Sequence, residues 1–175
     1  KVEEYKRIHK PIVALDRYLG EEIPVVAVNH KEGGRLAAET LIQNGCRRVL
    51  HFRGKVTVES PYHDRHFEFA RIMEEHGIQT IDYELGRNRL DSEYYKKAVK
   101  DVFTRGIDFD GVFGVARPVI ECMNETIRRH RRVPEDVKFV AYDGTFITEM
   151  VEPPLTAIVQ PIKELARESV RLVCN

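Results

Sequence analysis

Short apolar runs separated by longer segments of helical period restrict most severely how this chain can fold. The runs at residues 12–15, 25–28, 49–52, 80–85, 112–115, 137–142 and 156–159 read as strands. Their alternation with helices is the signature of an α/β protein with parallel strands. The helix ends are marked in the sequence. Asn29, with Glu32 three residues on, resembles a capping box opening a helix over 32–43, and Asn44-Gly45 supplies the left-handed stop. A cap of that kind is worth about 1 kcal/mol. A second helix over 64–76 stops at Gly77. A third follows Asp91, stops at Gly106 and buries Tyr95, Ala98, Val99, Val102 and Phe103 on one stripe. Pro118 and Pro161 are expected in the first turns of two more helices, where a missing N–H costs nothing.

Charge and composition narrow the function. Lys and Arg number 28 against 28 Asp and Glu, so no whole-molecule field draws in nucleic acid or an anionic membrane, and duplex DNA binding by this chain alone is not expected. With 42% hydrophobic and 32% charged residues the chain is globular rather than disordered, and no apolar run approaches the roughly 18 residues of a membrane span. The opening KVEEYKRIHK is too polar for a secretory signal. Cys46, Cys122 and Cys174 are odd in number and widely spaced, which points to structural thiols in a reducing cytosol. The length fits one domain, or two small lobes if the chain crosses more than once. A helix-like stretch over 2–8 has no strand before it, and the helix after Pro161 has no stop signal. A fragment of a longer polypeptide is therefore expected.

Enzymatic chemistry has no anchor in the sequence. His63, Asp64 and His66 could share a metal face at a helix start, but a third ligand at sensible spacing is missing, so solvated polar residues are expected and no metal. Gly33-Gly34 lacks the rest of a phosphate loop and reads as close helix packing. Neither GxSxG nor HExxH occurs, no cofactor loop is present, and no catalytic residue is assigned. The run Arg128 to Arg132 sits where cations offset the negative end of a helix dipole, without the aromatics of a nucleic-acid surface. Three residues fall at one sheet edge, where α/β proteins bind ligands: Arg65 after the third strand, Arg117 after the fifth and Asp143 after the sixth. On the residues alone, a surface salt bridge is the better explanation of each.

Read together, KPIVALDRY, IPVVAVNHKEGGRLAAETLIQNGCRRVLHFRG, DRHFEFARIMEEHGI, DFDGVFGVA and RRVPEDVKFVAYDGTFITEMVEPPLTAIVQPIKELARESVRLV resemble, in order, the effector-binding domain of the lactose-repressor and galactose-repressor family of bacterial transcription regulators. The last stretch is the most specific: a VPEDV turn, a strand ending in Tyr-Asp, then PPLT and Gln-Pro before a helix. The YDG ending and the DRYLG loop look most like sucrose-operon-type repressors. The resemblance implies a periplasmic-binding-protein-like fold of two parallel-sheet lobes with crossovers between them. Residues 1–55 and 144–175 are expected in an incomplete N-terminal lobe and residues 56–143 in the other. It further implies a helix-turn-helix domain upstream of Lys1, a cytoplasmic homodimer, operator DNA bound through that domain, and a sugar or sugar-phosphate effector.

Carried over residue by residue, the family pattern places the effector on Arg65 and Asp143, with Ser60, Ala116 and Arg117 at the same cleft. The sequence departs from the pattern at three points. Glu68 stands for a usual glycine, Pro61 replaces a hydroxyl residue with Ser60 beside it, and Ala116-Arg117 replaces a pair that ends in an acid. Arg117 then has two explanations. It pairs with Asp143 beside a neutral sugar, or it joins Arg65 to hold an anionic effector such as a phosphorylated sugar, the choice favoured by the two-unit gain in positive charge. A stand-alone solute-binding protein shares the fold and is the alternative function.

Overall fold

The computed structural model describes residues 10–56, 60–86 and 92–174, together with Glu4 and Arg7. The expected helix-like stretch over 2–8 lies, apart from those two residues, outside the described residues. Strand β1 (Ala14–Leu15) pairs in parallel with β2 (Val25–Val26). The chain continues through α1 (His30–Gln43), β3 (Arg48–Gly54), a 3-10 turn (Pro61–His63), α2 (Asp64–Glu75), β4 (Gln79–Leu85), α3 (Ser92–Thr104) and β5 (Gly111–Val115). It then forms α4 (Ala116–Arg128), β6 (Lys138–Tyr142), α5 (Phe146–Met150), β7 (Thr156–Ile158) and α6 (Ile162–Cys174). A second sheet has the order β4-β3-β5-β6-β7, with every neighbouring pair parallel.

Successive residues of the central strands feed opposite faces, because side chains alternate across a strand. Leu50, Phe52, Val112, Phe139 and Ala141 join a core with Val99 and Val102 of α3 and Cys122 and Met123 of α4. Val49, Phe113, Val140 and Tyr142 join the other core, with Ala37, Ala38 and Leu41 of α1 and Phe69, Ile72 and Met73 of α2. Burial on both faces explains why these strands read as continuous apolar runs. All seven expected strands form. Asn29 caps α1 as expected, its side-chain oxygen accepting from the Glu32 N–H at 3.2 Å. Buried Cys46 and Cys122 are free thiols, and burial pushes both up, Cys46 to about 11.

Helix α4 begins at Ala116, so Pro118 is its third residue, in the first turn as expected, where N–H groups have no helical partner. Two features differ from the sequence pattern. The five-residue α5, capped by Thr145, is too short to show a period in sequence. The division into 1–55 with 144–175 against 56–143 does not follow the sheet. Strands β3 and β7 are hydrogen-bonded to the strands between residues 79 and 142, and α1 packs against α2 and β6. The described residues between 30 and 158 therefore build one lobe. The β1-β2 pair, against which α6 packs, belongs to the other, and the chain crosses near residues 28–30 and 159–161. No residue of α6 is buried.

The basic run is taken up locally. Glu125 accepts from Arg128 at 3.1 Å and from Arg129 at 2.8 Å, Arg132 pairs with Asp136 at 2.7 Å, and Arg131 donates to the Phe109 carbonyl at 2.8 Å.

Candidate functional site

Strand order reverses between β3 and β5: the chain leaves β3 for the edge strand β4 and leaves β5 for β6 on the other side. Such a switch point opens a crevice at the carboxyl ends of parallel strands. The segments that leave these ends carry Ser60 and Arg65, Ala116 and Arg117, and Asp143. The crossovers near residues 28–30 and 159–161 lie at the same edge, so the crevice is also the junction of the lobes.

Arg65 is only 5% exposed, in the first turn of α2. Its guanidinium lies 4.2 Å from the ring centroid of Tyr142 and 5.4 Å from that of Tyr62, and its Nη1 is 3.7 Å from Asp143 Oδ1. Stacking on aromatic faces suits the planar, weakly hydrated guanidinium and leaves its edge for hydrogen bonds. The buried Arg65 Nε has no hydrogen-bond partner. The amide of Gln160 donates to Asp143 Oδ1, tying the second crossover to the carboxylate. Asp143 holds φ at +66°, a left-handed conformation that aspartate tolerates better than most residues.

Tyr142 is itself held from behind. Its hydroxyl and His30 Nδ1 are 3.0 Å apart, and His30 Nε2 is 3.1 Å from Asp16 Oδ1. Because the carboxylate accepts, His30 donates through Nε2, which in the neutral ring leaves Nδ1 to accept the tyrosine proton. Burial pushes the Tyr142 phenol up, which keeps it a donor. Asp16 Oδ1 also accepts from the Val28 N–H at 3.0 Å, and the Asp16 carbonyl accepts from Ser60 Oγ at 2.8 Å. Asp16 follows β1, whereas His30, Ser60 and Tyr142 belong to the other lobe, so this chain of hydrogen bonds spans the junction. The glycine pair makes the seat possible. A Cβ on Gly33 would lie 2.5 Å from the Tyr142 ring, and one on Gly34 would strike the backbone of Arg65. Close helix packing is thus the use of Gly33-Gly34.

Of the sequence candidates, Arg65 and Asp143 meet, and Ser60 reaches the same cluster through Asp16. Ala116 opens α4 at the crevice. The exposed Arg117 points elsewhere: its guanidinium lies 5.4 Å from the ring centroid of Tyr95 on α3, and the described partners of Asp143 are Arg65 and Gln160. The phase of α4 turns Arg117 toward the α3 side of the sheet, whereas Arg65 comes from the α1 and α2 side. Asp16, His30, Tyr142 and Gln160 were not among the candidates. The Tyr-Asp strand ending and the Gln-Pro pair were the signals that held two of them. Among the described residues, no three His, Cys, Asp or Glu side chains converge as for a metal ion, but His63 and His66 of the considered cluster are buried rather than solvated, His66 being bonded to His51 beneath α2. No described helix is long and apolar enough to cross a membrane.

Residues 25–175 match the family described as the periplasmic binding protein-like domain. The chain is 33% identical over 171 residues to a ribose operon repressor of Halalkalibacterium halodurans, covering 97% of this chain and 50% of that protein. To a sucrose operon repressor of Streptococcus mutans it is 31% identical over 166 residues, covering 94% and 50%. Among solved structures it resembles, at 25% identity and a TM-score of 0.82, a periplasmic binding protein/LacI transcriptional regulator from Alkaliphilus metalliredigens complexed with D-xylulofuranose, covering 98% of this chain and 64% of that one. The chain spans about half the length of the curated relatives it matches. Its parallel sheets, its crevice at the lobe junction and these similarities together place it: the chain belongs to the periplasmic binding protein-like family, as an effector-binding domain of LacI-family regulators.

Proposed function

We propose that this chain is the effector-sensing core of a sugar-responsive transcriptional repressor, and that its effector is a neutral sugar held between the lobes by Arg65 and Asp143. The observation that carries the reading is the buried Arg65 guanidinium, stacked on Tyr142 with the Asp143 carboxylate 3.7 Å away. Side by side, the two groups offer donors and acceptors to neighbouring hydroxyls with almost no net charge, which suits a sugar better than a phosphate. With Arg117 directed at Tyr95, the case for an anionic effector loses its second cation. The names of the relatives, ribose and sucrose operon repressors, support a sugar. They support a binding domain rather than an enzyme as well.

Signalling follows from linkage. A sugar that prefers one lobe arrangement shifts the DNA-competent population by its differential affinity and by no more. Operator DNA is bound by a helix-turn-helix domain elsewhere in the protein. The intact protein is a homodimer, for which the exposed Phe146, Ile147 and Met150 on and beside the first turn of α5 offer an apolar contact. Calorimetric titration of the intact protein with D-ribose, sucrose and D-ribose 5-phosphate tests the reading. A neutral sugar should bind at least tenfold tighter than the phosphate ester, about 1.4 kcal/mol. Preference for the ester would overturn the neutral-sugar assignment.

A further inference from the structure

A second buried polar chain lies behind the site and takes no part in the contacts among Arg65, Tyr142 and Asp143. His51, in the middle of β3 and 1% exposed, places its Nδ1 3.0 Å from Asp82 Oδ1 on the edge strand β4 and its Nε2 2.9 Å from Nδ1 of His66 on α2. Arg53 Nε pairs with the other Asp82 oxygen at 2.7 Å. The His51 ring stacks on Phe113 at 5.4 Å. The His51 and His66 rings both border a cavity of about 120 Å³, walled also by Val56, His63, Phe67 and Ala70.

The order of protons along this chain is fixed. Asp82, kept ionised by its bond from His51 and by Arg53, only accepts, so His51 carries its proton on Nδ1. Burial holds His51 neutral, and its Nε2 is then a lone pair. His66 must donate to that lone pair from Nδ1. Both rings are thus held as Nδ1–H tautomers, the minor form of neutral histidine in water. The groups facing the pair are Asp82 from β4, Arg53 from β3, and Arg65 and His63 from α2 and the turn before it. The cations among them oppose a second proton.

The 3-10 turn runs directly into α2, the Asp64 N–H donating to the Pro61 carbonyl, and no side chain caps the helix at His63, so the side chains of the first turn help to hold it in place. Arg65 and His66 are neighbours in this turn. We infer that His66 is a positioning residue for Arg65, tied through His51 to Asp82 so that the arginine keeps its seat on Tyr142. The inference rests on the reading of Arg65 as the effector contact.

Nitrogen-15 NMR of the intact protein tests it without any sugar, so its failure is separable from a failure of sugar binding. Both histidines should show the Nδ1–H pattern from pH 5 to 8, and the Arg65 Nε–H should exchange slowly with solvent. Asp82→Leu, on a half-exposed edge-strand position, should abolish the pattern and speed Arg65 exchange at least tenfold. Asp82→Asn, whose amide oxygen still accepts, should preserve both. Wild-type rings in the Nε2–H form would overturn the inference whatever the variants do to folding. Altered tautomers with unchanged Arg65 exchange would overturn it too.

Discussion

Gly34→Ala isolates the contact on which the effector arginine depends. The added methyl would lie 3.0 Å from both the carbonyl carbon and Cα of Arg65, and closer still to the carbonyl oxygen. Ordinary carbon contacts are about 3.5–4 Å, and the atoms met are backbone, which no rotamer change removes. Helices α1 and α2 must part. Replacing glycine by alanine inside a helix gains about 1 kcal/mol, whereas overpacking costs about 1–3 kcal/mol, with a backbone collision at the top of that range or beyond. The clash wins by about 2 kcal/mol. With a slope of about 2 kcal/mol/M, the urea midpoint of the intact protein should fall by about 1 M, and sugar affinity should fall with it as Arg65 is displaced. A midpoint equal to or above that of the wild type would refute the close-packing account of the glycine pair.

Arg65→Ala should weaken sugar binding by about 1.5–3 kcal/mol in calorimetry, the range for hydrogen bonds to a charged group, with folding retained by circular dichroism. Arg117→Ala should change sugar affinity less than twofold in the same titration, because its guanidinium faces Tyr95. Stability should fall on acidification before carboxylates contribute. Burial, helped by the positive charge of Arg65, pushes His66 down to about 2, against an ordinary value near 6.5. The unfolded chain therefore binds the extra proton. The His66 contribution is constant above pH 6.5 and is lost as pH falls below it, about 2 kcal/mol by pH 5, and His51 is shifted in the same direction. Urea midpoints at pH 7 and pH 5 check this, and equal midpoints would contradict it.

Much of the fold was legible because buried parallel strands leave an unmistakable apolar pattern, and Gly33-Gly34 announced a close approach. The lobe boundary was not legible. The crossover near residues 28–30 runs from a strand into a capped helix, with no proline, glycine or charged linker to mark it. Arg65 and Asp143 could be placed at one sheet edge from element order alone. The direction of Arg117 depends on the phase of a helix that begins two residues before its proline, which no local signal gave. Tyr142 reads as core at the end of an apolar strand, and Asp16 as a loop residue. Only the packing of β1 against the lobe built by residues 30–158 reveals that His30 joins them. His51 and His66 likewise meet only once α2 lies on β3.

The central claim is that the stacked Arg65 and its Asp143 neighbour grip a neutral sugar at the lobe junction. A crystal structure of the intact protein with the tightest-binding neutral sugar tests it most directly. The account predicts sugar hydroxyls within about 2.7–3.2 Å of the Arg65 guanidinium and the Asp143 carboxylate, with Tyr142 still beneath the arginine. A sugar bound elsewhere, or at the crevice without touching Arg65, would contradict it.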